Sequence, residues 1–267
     1  MRFTLTLLGT GGSAGIPQIG GPDGAGDWGQ CDPAEPRNRR TRASVVFTAE
    51  DGQRILVDTA PEIRVQLTEQ RIDRIDAVIF THSHADHIAG LDDIRILNRL
   101  RGTPIDAYTD ERTWVELRQR FDYAFRPWEP PGFFRPVLQT HTILAGETRT
   151  IAGLPVRFIR QDHGFIPSLG LRVGTVAYCP DVVRFTPDQF ALLEGVDTWI
   201  VDCFTKRGPH PTHAYLGQVI DWAKALRPRR TILTHMGLDM DYRTLCDTLP
   251  AGFEPAFDGM IIEGDAP

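Results

Sequence analysis

Along this chain, short apolar runs that end in polar turns alternate with stretches whose apolar residues recur every three or four positions. Met1–Leu8 reads as a short strand, and Ser44–Phe47 followed by Gln53–Thr59 reads as a hairpin. A helix of about ten residues is expected from Pro61, with proline in its first turn and Ile63, Leu67 and Gln70 spaced along it. Asp76–Phe80 is a buried strand, because Val, Ile and Phe suit a packed, pleated setting. Ile88, Leu91, Ile94 and Leu97 then follow at helical spacing. Ile105–Tyr108 is another strand, and Asp110 caps a helix carrying Trp114, Leu117 and Phe121. Period-two segments fill 137–178, and 198–202 and 230–235 are further buried runs. A helix with Leu216, Val219, Ile220 and Ala223 lies between those two, and Asp258–Ile262 closes the chain as an edge strand.

Several of these strands end in Asp or His. The richest case is Thr81-His82-Ser83-His84-Ala85-Asp86-His87, which places four metal-competent side chains within six residues, directly between a buried strand and a helix. A lone His or Asp there would be a solvated turn residue. Four together would repel one another if protonated and gain little from burial if neutral, so the cluster predicts a metal site. Imidazole with carboxylate is the ligand set of zinc, manganese or iron, and no thiol stands nearby. Asp58 also ends a buried run, as a carboxylate orienting a ligand imidazole would. His163, Asp181, Asp202 and His235 end later strands, and His213 opens the helix at Leu216. Strand ends on one side of a sheet are where α/β proteins place ligands. His141, alone within its strand, reads as a structural histidine.

Size and charge narrow the partners. The 267 residues carry 35 acidic and 29 basic side chains, a formal net charge of −6, which gives no general nucleic-acid or membrane signal. The first strand is too short, and too soon broken by glycine, for a signal peptide, and no apolar run has membrane-spanning length. The four cysteines follow no disulfide or zinc-finger spacing, so a reduced, cytoplasmic protein is expected.

Two loops carry further chemistry. Gly9-Thr10-Gly11-Gly12-Ser13 lacks the full dinucleotide spacing and precedes no helix, so its glycines are expected to let backbone approach a ligand or another loop. Gly20–Glu35 is a long loop of the kind that lines a site or an interface. Arg39, Arg40 and Arg42, within Pro36–Arg42, are either a solvated face or a phosphate-binding edge. The aromatic loop 128–136 either stacks a base or covers a core edge, the latter being preferred.

With the motif His82-x-His84-x-Asp86-His87, the chain resembles the metallo-β-lactamase fold superfamily. Gly9–Ser13, Pro36–Arg40, Leu91–Arg95 and His235–Tyr242 make it similar to the branch holding phosphoribosyl 1,2-cyclic phosphate phosphodiesterase. That resemblance implies an α/β fold over 1–267 as one domain, a four-layered αββα sandwich with mixed sheets. It further implies two divalent metal ions, zinc first, with manganese or iron also compatible. His82, His84 and His163 would hold one ion, Asp86, His87 and His235 the other, and Asp181 would bridge them. The implied activity is phosphodiester hydrolysis by a metal-bridging hydroxide on a small cyclic-phosphate or nucleotide-like substrate. Asp86 and His213 would be catalytic, and Arg39, Arg40, Arg42 and His213 would bind substrate.

The branch often carries a cysteine cluster with a structural zinc. Only Cys31 stands in the corresponding loop here, so no such zinc is expected. Alternative readings are a nuclease or transfer-RNA 3′-processing phosphodiesterase and a thioester or lactone hydrolase. The first lacks a basic arm to grip a polymer, and the second needs no arginine cluster. A metal-stabilised binding module is disfavoured by the full ligand set with His213. The expected partner is a small phosphodiester, not polymeric nucleic acid or membrane, and a homodimer is compatible with the sequence.

Overall fold

The computed structural model describes residues 1–267. Two seven-stranded mixed sheets stack face to face with helices outside them, a four-layered αββα sandwich. The first sheet holds β1 (Arg2–Gly9), β2 (Ser44–Ala49), β3 (Arg54–Val57), β4 (Ala77–Ile79), β5 (Ile105–Thr109) and β6 (Leu138–Thr142) in chain order. The second runs from β7 (Thr148–Ile151) through β8 (Leu154–His163), β9 (Ile166–Val173), β10 (Val176–Cys179) and β11 (Thr198–Asp202) to β12 (Arg230–Thr234) and β13 (Phe253–Pro255). The last strand, β14 (Met260–Asp265), returns to the edge of the first sheet, antiparallel to β1.

Each sheet is antiparallel at one side and parallel at the other: β3 to β6 run parallel in the first, β10 to β13 in the second. Period-two alternation explains the layers. Val45, Phe47, Ile55, Val57 and Ile79 face the core between the sheets, together with Leu171, Tyr178 and Ile200 of the second sheet. Val46, Leu56, Val78 and Phe80, the intervening positions, pack outward beneath helices. Those helices are α1 (Ile63–Glu69), α2 (Ala85–Ile88), α3 (Ile94–Arg101) and α4 (Glu111–Phe121). Beyond the second sheet lie α5 (Pro187–Ala191), α6 (Leu216–Leu226) and α7 (Tyr242–Thr248). Asp110 caps α4 by accepting from the Thr113 amide at 2.8 Å.

Three expected elements differ. The helix from Pro61 is α1, only seven residues long, with Pro61 ahead of it, because the Ile63 amide first closes a turn onto the Ala60 carbonyl. The helix expected across 88–97 is broken into α2, a single tight turn at Leu91–Asp93, and α3. Gly90 is the cause: its amide donates to Thr59, and a Cβ there would stand 2.1 Å from the Ala60 carbonyl oxygen. The four apolar residues nonetheless bury as expected. The helix after His213 starts only at Leu216, which leaves His213 on the preceding loop.

The arginine run serves the fold. Arg40 is 1% exposed and donates from Nη1 to the Met240 carbonyl at 2.8 Å. Arg42 pairs with Glu62 at 2.9 Å, and Arg39 lies over the Trp28 ring. Asn38 bonds Asp241 at 2.7 Å and Glu35 pairs with Arg243 at 2.6 Å. The N-terminal loop is thereby tied to the segment after β12. Arg40 is thus buried and Arg42 paired within the fold, so neither presents the free guanidinium fork that the phosphate-binding reading called for. The loop at 128–136 covers a core edge, with Phe133 buried and stacked on Trp128 at 4.3 Å.

Candidate metal centre

The parallel strands of both sheets release their C-terminal ends into one cleft. β3 is followed by Asp58, β4 by His82, β10 by Asp181, and β12 by His235, while β11 ends in Asp202. Asp58, Asp181 and His235 have φ of 64°, 51° and 55°, a left-handed backbone that costs non-glycine residues ~1 kcal/mol each. Such strain persists where surrounding structure enforces it. At Asp181 the enforcement is visible: Ser168 Oγ donates to its carbonyl at 2.7 Å, and Gln161 Nε2 donates to the Pro180 carbonyl at 2.6 Å.

Proton bookkeeping defines which imidazole nitrogens carry lone pairs into the cleft. Asp58 is fully buried and accepts from the Thr81 amide, from Thr81 Oγ1 and from His87 Nδ1, each at 2.7 Å. The Thr81 hydroxyl has spent its only proton on Asp58, so His82 Nδ1, 3.0 Å away, donates to it. His163 Nδ1 donates to the Thr212 carbonyl at 2.7 Å. Consequently Nε2 of His82 and Nε2 of His163 are both bare, and both point at His84 Nδ1, at 3.0 and 3.2 Å. One N–H at His84 cannot satisfy two lone pairs. A cation in their midst does, and burial with neighbouring rings holds His82 well below the ordinary histidine range, in the neutral form a metal requires.

The adjoining group repeats the logic with carboxylates. His87 Nε2 lies 3.1 Å from Asp181 Oδ2 and 3.3 Å from Asp86 Oδ2. His235 Nδ1 lies 3.1 Å from Asp181 Oδ2, and Nε2 of both His87 and His235 is buried without a hydrogen-bond partner. Burial opposes charge on His87, but Asp181, Asp86 and Asp58 outweigh it and hold the group well above the ordinary histidine range. Without a metal, therefore, a proton on His87 supplies positive charge that three buried carboxylates demand. The same donors suit a divalent ion better, since nitrogen and oxygen ligands converge on it without a buried orphan. Among these residues, His82, His84 and His163 form one group, and Asp86, His87 and His235 form another, with Asp181 adjoining both through His82 and His87. Asp58 fixes the His87 tautomer, so Asp58→Asn is expected to weaken metal affinity by about 10–100-fold. Competition against a zinc-binding dye, with circular dichroism to follow the fold, measures this.

His213 stands beside both groups, its ring 4.9 Å from His163 and 4.7 Å from His235. Its Nδ1 donates to Asp202 Oδ2 at 2.8 Å, which leaves Nε2 unengaged. Burial opposes the imidazolium, but Asp202 prevails and pushes His213 up to about 9. Phe204 stacks on that ring at 5.0 Å and 24°.

The strand-end pattern exposed the ligand cluster in the sequence, but not Phe204 or Arg120, nor the service of Asp202 to His213. Arg120 reaches from α4 to donate to the Ser83 carbonyl, within the histidine loop. No periodicity marks such residues, because their role is set by what packs across from them. His141 is structural as expected, bonded to Asp106 at 2.8 Å and stacked on Tyr108.

Residues 53–236 match the family described as "Beta-lactamase superfamily domain". The chain belongs to that superfamily. Its His/Asp groups are one or two metal sites of the kind that superfamily fold carries. Among solved structures, the chain is similar to a diphosphatase from the PhnP family, at 33% identity and TM-score 0.86, covering 99% of this chain and 98% of that one. That likeness agrees with the phosphodiesterase-like branch of the superfamily. It shares the fold of the short form of human tRNase Z at 19% identity and TM-score 0.69, with 99% of each chain covered. Among curated relatives, an octanoyltransferase of Porphyromonas gingivalis is 29% identical over 255 residues, 95% of this chain and 50% of the relative. The chain thus spans about half the length of that protein. Coenzyme PQQ synthesis protein B of Methylococcus capsulatus is 26% identical, with 97% of this chain and 99% of the relative covered.

Proposed function

We propose that this protein is a metal-dependent phosphodiester hydrolase acting on a small phosphate ester. The observation that carries the reading is the Asp202–His213 pair: an imidazole held by a buried carboxylate, its Nε2 free, beside the histidine–aspartate cluster. Likeness to a diphosphatase at 33% identity across nearly the whole of both chains supports a phosphorus substrate.

The donors fit two divalent ions, zinc first, with manganese or iron accepted by the same nitrogen and oxygen set. His82, His84 and His163 would hold one, Asp86, His87 and His235 the other, and Asp181 both. When bound, such a pair lowers the pKa of water and neutralises charge on phosphoryl oxygens. The chain's own residues do the rest. Asp58 and Thr81 orient His87 and His82, and Thr212 orients His163. His213 Nε2 gives its proton to the departing ester oxygen as that P–O bond breaks and the oxygen of water bonds to phosphorus. The proton shed by water restores the imidazolium, and Asp202 keeps the ring oriented throughout without itself being protonated.

The test uses the purified full chain. Elemental analysis should approach two metal equivalents, and zinc- or manganese-loaded protein should hydrolyse bis(4-nitrophenyl) phosphate. Chelation should abolish turnover and metal addition restore it. Vigorous lactone or thioester hydrolysis with no diester turnover under any of these metals overturns the substrate class. A fully active protein holding one equivalent overturns the dinuclear assignment.

A further inference from the structure

A cavity of about 390 Å³ opens beside the metal centre and belongs to none of the groups described so far. It shares two walls with the reaction site. Met236 directly follows His235, and Phe204 lies against the ring of His213. Gly12, Gly15, Gly29 and Gly237 form part of the remaining lining, and three of them let the walls of the cavity pack closely on one another. A Cβ on Gly12 would stand 2.8 Å from the Phe204 ring, one on Gly237 2.8 Å from the Phe204 carbonyl oxygen, and one on Gly29 2.5 Å from Leu238. The N-terminal glycine turn therefore forms part of the pocket wall.

Only two charged side chains line the cavity, Arg207 and Asp239. Asp239 is 8% exposed. Its Oδ2 accepts from the Thr205 hydroxyl at 2.8 Å and the Lys206 amide at 3.2 Å, and lies 3.6 Å from Arg207 Nε. Its Oδ1 makes no hydrogen bond within the chain. A carboxylate with one oxygen anchored and the other free is an acceptor for hydroxyl groups. It also repels phosphate, and the single, largely exposed Arg207 does not reverse that.

His213 is the proton donor to the departing oxygen in the reading above, and Phe204, stacked on its ring, is also a wall of this cavity, so the cavity adjoins the side of the centre where the leaving group departs. We propose that the cavity is the leaving-group subsite and takes an uncharged, polyhydroxylated group, with Asp239 as the residue that selects it. This rests on the hydrolase reading above and specifies the substrate further. Binding there costs little reorganisation, since Thr205 and Lys206 already hold the carboxylate in place.

The experiment compares bis(glyceryl) phosphate, whose leaving group is a polyol, with bis(4-nitrophenyl) phosphate, whose leaving group is not. Wild-type protein should hydrolyse both. Asp239→Asn should lower kcat/KM for the glyceryl ester relative to the aryl ester at least tenfold, mainly through KM. Ala14→Trp, on an exposed turn of the cavity wall, should shift the ratio the same way by filling the space, and it guards against a misfolded Asp239 variant. A ratio unmoved by both substitutions overturns the subsite, as does wild-type protein that cleaves the aryl ester and not the glyceryl one. If wild-type protein cleaves neither diester, the hydrolase reading itself fails, and the subsite falls with it.

Discussion

Asp181→Asn is expected to disturb both metal groups at once and to lower diester turnover by at least ~10³-fold, the scale of several kcal/mol of lost charge stabilisation. One carboxylate oxygen lies 3.1 Å from both His87 Nε2 and His235 Nδ1, and the other lies 3.6 Å from His163 Nε2. Elemental analysis should show well under the wild-type metal content, whereas His163→Ala should chiefly weaken the group with His82 and His84. A fully loaded, active Asp181→Asn protein would refute the bridging role. The amide is nearly isosteric, so the left-handed turn and its supports from Ser168 and Gln161 should survive the change.

Substituting Ala for His213 should leave metal content and fold intact and cut turnover of bis(4-nitrophenyl) phosphate by about 10²-fold, towards ~10⁴-fold for esters with poor leaving groups. A good leaving group needs little protonation, so the loss should grow with leaving-group pKa. A flat dependence would reject His213 as the proton donor. Asp202 supplies a second signature. It raises His213 to about 9, so the protonated acid persists through neutrality and activity falls only as pH climbs towards that value. Asp202→Asn removes the charge that raises it, and the alkaline limb of the pH–rate profile should move to lower pH. An unmoved limb, with only a general loss of rate, would leave Asp202 a structural role alone.

Much of the site was legible because its residues stand at strand ends. A buried apolar run followed directly or after one residue by Asp or His is a local pattern, and it recurs at Asp58, His82, Asp181, Asp202 and His235. The arginines misled for the opposite reason. Four cations in six residues carry the same charge in any setting, and whether Arg40 meets an incoming phosphate or the Met240 carbonyl depends on a segment two hundred residues away. Gly90 misled likewise, since its need for close approach arises from Ala60, on a different element.

What the sequence by itself determined is most of the strands, the faces they bury and the donors at their ends, since all three follow from period and neighbour. The tertiary structure alone decided which donors meet. Two sheets had to stack before the ends of β3 and β4 could face those of β10, β11 and β12, and only then did His84 come within 3.2 Å of His163. It also decided that the glycine turn at Gly12 and the segment at Gly237–Asp239 would enclose a cavity beside His213. Side-chain chemistry is written residue by residue, but convergence is a property of the packed core, because burying both inner faces fixes where every strand must end.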